Sequence, residues 1–120
     1  MTPAPTGAPR LVLLLNTAAD AGQVAAALRY AATAAAMDIA VEVHAAGPSV
    51  LLLRRGATPA ALLAQLRQAI DLDAVLFACP HALAEHGVGA EELVAEVHGV
   101  RGAASLLAAG MAPGARFMVF

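Results

Sequence analysis

Aromatic side chains are scarce in this chain: three phenylalanines, one tyrosine and no tryptophan in 120 residues. A core without many large rings must be filled by alanine, leucine and valine, which favours closely approaching helices and buried strands. Charge is equally thin. Asp, Glu, Lys and Arg make up 13% of the residues, against roughly 25% in an ordinary soluble domain. So few charges cannot solvate the surface of a monomer, and part of that surface is expected to be covered by further subunits. Basic clusters are missing beyond Arg54-Arg55 and the net charge is -2, which argues against a nucleic-acid partner. Long apolar runs are missing as well. Hydrophobic residues reach 60%, but Asn16, Asp20, Arg29 and Asp38 break up the first half before any window attains the roughly 18 residues of a membrane span. The N-terminal MTPAPTGAPR has neither the basic cluster nor the apolar core of a signal peptide. It reads as a disordered tail over residues 1–9, ahead of one domain over 10–120, and a cytoplasmic location is expected. One cysteine excludes an internal disulfide.

What is present alternates between strand and helix signals. Arg10 to Asn16 is a short apolar run of the kind buried on both faces of a sheet. Asp20-Ala-Gly-Gln23 has capping-box spacing, and an alanine-rich helix follows to about Met37. Ile39, Val41 and Val43 alternate with Ala40, Glu42 and His44, so the second strand is expected to have one more polar face. Thr58-Pro59 predicts a helix start, with a cap residue and proline at the first helical position, and Leu62, Leu63, Leu66 and Ile70 keep helical spacing. Ala74 to Ala78 reads as a third buried strand. Glu91 and Glu92 suit the first turn of a helix carrying Leu93, Val94 and Val97. Gly102 to Ala109 predicts a short helix closed by Gly110, and Ala115 to Phe120 a last strand. This order implies a single α/β domain, a three-layer α/β/α arrangement around a mainly parallel sheet.

The carboxyl ends of parallel strands share one edge, where ligands collect. Asn16-Thr17, His44 and Cys79 fall on that edge. Cys79 precedes Pro80, so it is expected to cap a helix with its sulfur toward the free amides, a position that favours the thiolate. The alternative is a small packed core residue. His81 could pair with the thiolate, or be a first-turn surface residue. Other chemistries lack their residues. There is no Cys-x-x-Cys, and Glu85 stands where a phosphatase-type loop after Cys79 needs arginine. Cys79, His81 and His86 match no strong zinc spacing, so no metal is expected. The loop after the first strand has only Gly22, neither a dinucleotide fingerprint nor a phosphate loop, so no cofactor is expected. Glu91, Glu92, Glu96, His98 and Arg54-Arg55 read as surface groups.

Taken in order, these pieces resemble the DsrE/DsrF-like sulfur-relay family. The resemblance runs from Leu11 to Phe120 through AAAMDIAVEV, Ser49-Val-Leu-Leu-Leu-Arg-Arg-Gly56, Ala74-Val-Leu-Phe-Ala-Cys79, HGVGAEELV and Arg101-Gly-Ala-Ala-Ser105. It implies a five-stranded flavodoxin-like (DsrEFH-like) sheet. It also implies a sulfur carrier or sulfurtransferase that accepts sulfane sulfur as a persulfide on Cys79, with His81 and His44 as assistants. The implied partners are a TusA-like sulfur carrier and further copies of the chain, as a trimer or hexamer. Asp38 departs from the family's usual glycine between first helix and second strand, and Pro80-His81 replace smaller residues after the cysteine. Beside the carrier stand a non-catalytic oligomeric scaffold of the same fold and a thiol redox sensor using sulfenic acid or an intersubunit disulfide.

Overall fold

The computed structural model describes residues 7–16 and 21–120. The first six residues of the expected tail, Thr17 and the cap expected at Asp20 lie outside the described residues.

The elements are β1 (Arg10–Leu15), α1 (Ala21–Ala36), β2 (Ala40–Ala45), α2 (Ala60–Asp71), β3 (Val75–Ala78), α3 (Pro80–Glu85), β4 (Gly99–Val100), α4 (Ala103–Gly110) and β5 (Ala115–Val119). A 3-10 helix over Gly47–Leu53 and a 3-10 turn over Ala90–Glu92 join them. The sheet is five-stranded and parallel throughout, in the order β4-β3-β2-β1-β5. Right-handed crossovers put α1, α2 and α3 on one face, because β1, β2, β3 and β4 advance in one direction. The step from β4 back to β5 reverses direction, so α4 lies alone on the other face, over β1 and β5.

Side-chain alternation divides the strands between two layers. Leu13, Leu15, Val41, Val43, Ala45, Leu76 and Ala78 join Val24, Leu28, Leu62 and Leu66 of the helices in the main core. The opposite rows are Phe117–Val12–Glu42–Val75 and Val119–Leu14–His44–Phe77–Gly99. Val12, His44 and Phe77 are buried there. The second face of β2 is therefore polar in composition yet covered at His44.

Three sequence expectations are corrected. The helix after Pro59 begins at Ala60, with Pro59 itself as the cap. The Thr58 hydroxyl instead donates to the carbonyls of Leu52 and Arg54, closing the preceding 3-10 helix. The helix expected from Glu91 to Val97 is only the turn over Ala90–Glu92. Leu93 is extended and forms an antiparallel bridge with Arg54, while the Val94 N–H donates to Leu53 O at 2.8 Å. Two adjacent apolar residues are buried by this pinned extended segment rather than by a helical face. Gly110 does not close α4 but forms its last residue, and a Cβ there would overlap the Phe117 ring. The fifth strand, β4, is a two-residue edge strand with no run of its own in the sequence. Among the described residues no helix is long and apolar enough to cross a membrane.

Candidate functional site

Each strand from β1 to β4 continues its ladder by one residue. The N–H of Ala46 donates to Leu15 O at 2.8 Å, that of Cys79 to Ala45 O at 2.8 Å, and that of Arg101 to Ala78 O at 3.0 Å. On the other side the Asn16 N–H donates to Phe120 O at 2.8 Å. Asn16, Ala46, Cys79 and Arg101 thus stand side by side, each immediately past a strand. By alternation they share the α4 face with Leu14, His44 and Phe77. These positions and the start of α4 enclose a cleft of about 140 Å³, lined by Asn16, His44, Cys79 and Arg101 with Leu14 and Leu106 as apolar walls.

Cys79 takes the cap position expected of it. Its backbone is extended (φ -76°, ψ 125°), Pro80 opens α3, and its carbonyl accepts from the Leu83 N–H at 3.0 Å. The side chain makes no hydrogen bond to the α3 amides. Instead Cys79 is half-buried between the edge of the core and the cleft.

His44 is 3% exposed, and neither ring nitrogen has a hydrogen-bond partner among the described residues. Its Nε2 lies 3.8 Å from Glu42 Oε1, beyond hydrogen-bond range, and its ring centre 5.4 Å from that of Phe77. Glu42 is held from the far side by Arg10 at 3.1 Å. Burial lowers the pKa of His44 from its ordinary 6.5; the Arg101 charge pushes the same way and Glu42 opposes it. The imidazole is neutral at neutral pH, with a donor and an acceptor nitrogen unused beside the cleft.

The other candidates lie elsewhere. His81 is exposed on α3, its Nε2 3.4 Å from Glu85 Oε2 one turn on, and it does not line the cleft. His98 is exposed, but its Nδ1 accepts the Leu76 N–H at 3.0 Å, tying the approach to β4 onto β3. Glu92 accepts the Gly89 N–H at 2.9 Å, and Glu96 is ion-paired with Arg67 at 3.0 Å rather than simply solvated. Among the described residues no group of three His, Cys, Asp or Glu side chains could hold a metal ion.

Arg101 was legible only as part of the family resemblance. Its place in the cleft depends on β4, and two residues carry no strand periodicity. Its guanidinium carbon sits 4.3 Å from the centre of the Phe77 ring, a cation–π contact.

Comparison with known proteins gives three findings. The DsrE/DsrF-like family profile matches residues 10–120. Among solved structures, a protein of unknown function from Methanobacterium thermoautotrophicum is similar at TM-score 0.73 and 18% identity, covering 93% of this chain and 99% of that one. The ychN protein of E. coli is similar at TM-score 0.74 and 12% identity, with the same coverage; at such identities these likenesses establish the fold. No curated protein matches. With a profile that takes in every strand and helix of the domain, the chain belongs to the DsrE/DsrF-like family.

Proposed function

We propose that this protein is a sulfur carrier or sulfurtransferase that accepts sulfane sulfur as a persulfide on Cys79 and exchanges it with a TusA-like carrier. One observation carries the reading: the chain's single cysteine and a buried histidine with both nitrogens unpartnered line the same cleft. A thiol that served only packing would not need an unsatisfied imidazole beside it, since an unpaired buried polar group costs about 1–3 kcal/mol. The family's general sulfur-relay character supports the same chemistry.

The step is a displacement at sulfur. The Cys79 thiolate attacks the outer sulfur of a donor persulfide, R–S–SH. A bond forms from Sγ to that sulfur as the donor S–S bond breaks, and the electron pair leaves with the R–S sulfur. The proton ends on the departing thiol, giving Cys79–S–S⁻ and R–SH, so charge and atoms balance without an oxidant. We assign His44 the role at the thiol, as a neutral group that can carry or return a proton. His81 stands on the solvent side of α3, so a contribution from it would be made to a docked carrier rather than to the sulfur. The protein is proposed to work in the cytoplasm as a homo-oligomer, a trimer or hexamer.

Intact-mass analysis tests this. Exposure to polysulfide or to a persulfidated carrier should add the mass of one or more sulfur atoms, reversed by a reductant. Cys79→Ser should fold and assemble but gain nothing. No gain with any donor, together with destabilisation as the chief effect of the substitution, would favour the scaffold. A gain of oxygen under peroxide without any gain of sulfur would favour the redox sensor.

A further inference from the structure

Cys79 borders a cleft with little to offer a charged ligand. Leu14 of β1, Ala46 just past β2, and Ala103 and Leu106 of α4 line it with Cys79. Among the described residues the surface exposed inside is almost wholly apolar. Two of the polar neighbours turn away from it. Both His44 nitrogens are buried, with Nε2 toward Glu42. The Arg101 guanidinium lies over the Phe77 ring, and the same side chain borders the hollow that holds Arg10 and Glu42. Asn16, the remaining polar side chain, is exposed just past β1. The volume, about 140 Å³, is close to that of an apolar cavity of about 150 Å³ that stays dry and binds benzene. A charged group entering such a space sheds its water with nothing to replace it. An aliphatic group gains by leaving water for it.

We propose that this cleft seats the organic part of the sulfur donor, and that the donor it fits is a small uncharged alkyl persulfide, R–S–SH, with an aliphatic R of about four to six carbons. This rests on the persulfide reading of Cys79 and names the substrate class of that site. The balance is Cys79–S⁻ + R–S–SH → Cys79–S–S⁻ + R–SH. One S–S bond forms and one breaks. The electron pair leaves with the R–S sulfur, which takes the proton released by the outer sulfur, and one negative charge stands on each side. Apolar surroundings disfavour the ionised form of a persulfide as of any acid, so the cleft holds the donor protonated. That is the form the reaction consumes, because the outer sulfur of R–S–S⁻ would repel the thiolate. The departing R–SH is neutral too, so the charge stays on the cysteine side throughout.

A series of methanethiosulfonates tests the seat apart from sulfur transfer, since each leaves R–S on Cys79 and releases methanesulfinate. Rates are taken relative to a free thiol at the same pH. Burying one methylene favours binding about fourfold, so the butyl reagent should exceed the methyl reagent by roughly tenfold or more. The anionic sulfonatoethyl and cationic trimethylammonioethyl reagents should both fall below the methyl one. Ala46→Leu, which fills the cleft, should remove the butyl advantage and leave the methyl rate little changed. Ala103→Leu, at an exposed helix position, should do the same and serves if Ala46→Leu fails to fold. Butyl persulfide should load sulfur faster than glutathione persulfide, whose peptide is charged, in the wild type but not in the filled variants. A butyl rate no greater than the methyl rate, a charged reagent that matches the butyl one, filled variants that keep the preference, or a thiol inert to every reagent overturns the proposal. Chain-length preference without sulfur gain from any persulfide would keep the apolar seat and reject the persulfide reading. Sulfur gain at equal rates from both donors, with no chain-length preference, would do the reverse.

Discussion

His44 alternates with two valines, and alternation alone assigns it to a polar face. What buries it is tertiary: its neighbour in the next strand is Phe77, and the start of α4 closes the cleft beside it. A position in one strand says nothing about the residue opposite it, so this burial could not be read from the chain. Cys79 was legible, because an apolar strand, its end and the following proline are contiguous in sequence. The buried imidazole has a consequence for stability. Its native pKa lies below the ordinary 6.5, chiefly because burial disfavours the charged form. As pH falls through about 6.5, the unfolded chain takes up a proton that the native protein refuses until lower pH, so native stability drops across that window. The melting temperature should therefore fall between about pH 7 and pH 5.5, and His44→Gln should flatten that slope. Parallel slopes in the two proteins would show that His44 titrates normally in the fold.

The ends of α1 and α2 are the same device used twice. After α1 the Ile39 N–H donates to Ala34 O and the Asp38 N–H to Ala35 O, at 3.1 Å each. After α2 the Ala74 N–H donates to Ala69 O at 3.1 Å and the Asp73 N–H to Ile70 O at 2.9 Å. Both are Schellman ends, and both put an aspartate in the left-handed region, at φ 61° and 75°. The backbone at Asp38 is the left-handed one that glycine adopts without strain. Left-handed backbone costs an ordinary residue about 1–2 kcal/mol, while glycine loses about 0.4–1 kcal/mol through its freer unfolded state. A carboxylate at a helix carboxyl end is also unfavourable. Asp38→Gly and Asp73→Gly should each stabilise by up to about 1 kcal/mol, seen as a higher urea midpoint with unchanged slope; a lower midpoint in either would refute the account. The long elements were legible because burial wrote a period into them. β4 was not, since two residues at an edge are defined only by their bonds to Phe77 and Ala78.

Over the whole molecule the two faces of the sheet are unequally dressed, with three helices on one and α4 alone on the other. Around α4 and the edge strand β5, Leu107, Met111, Phe117 and Val119 are 52%, 78%, 41% and 62% exposed. Low charge suggested from composition that some surface would be covered, and here is an apolar side suited to another copy. Light scattering at micromolar concentration should give a mass several times 12.0 kDa, and Met111→Glu should lower it. A wild-type monomer under those conditions would remove the proposed assembly.

The row of residues just past the strands separates architecture from chemistry. Positions 16, 46, 79 and 101 are held by their backbones, each N–H bonded to a carbonyl of the adjacent strand, so the side chains they carry are free to differ while the cleft persists. The fold is in this sense a rack with fixed slots. A protein of the same shape with another residue in the slot of Cys79 would keep the cavity and lose the sulfur nucleophile. Likeness of fold and likeness of activity can part company at a single atom, the Sγ of one side chain.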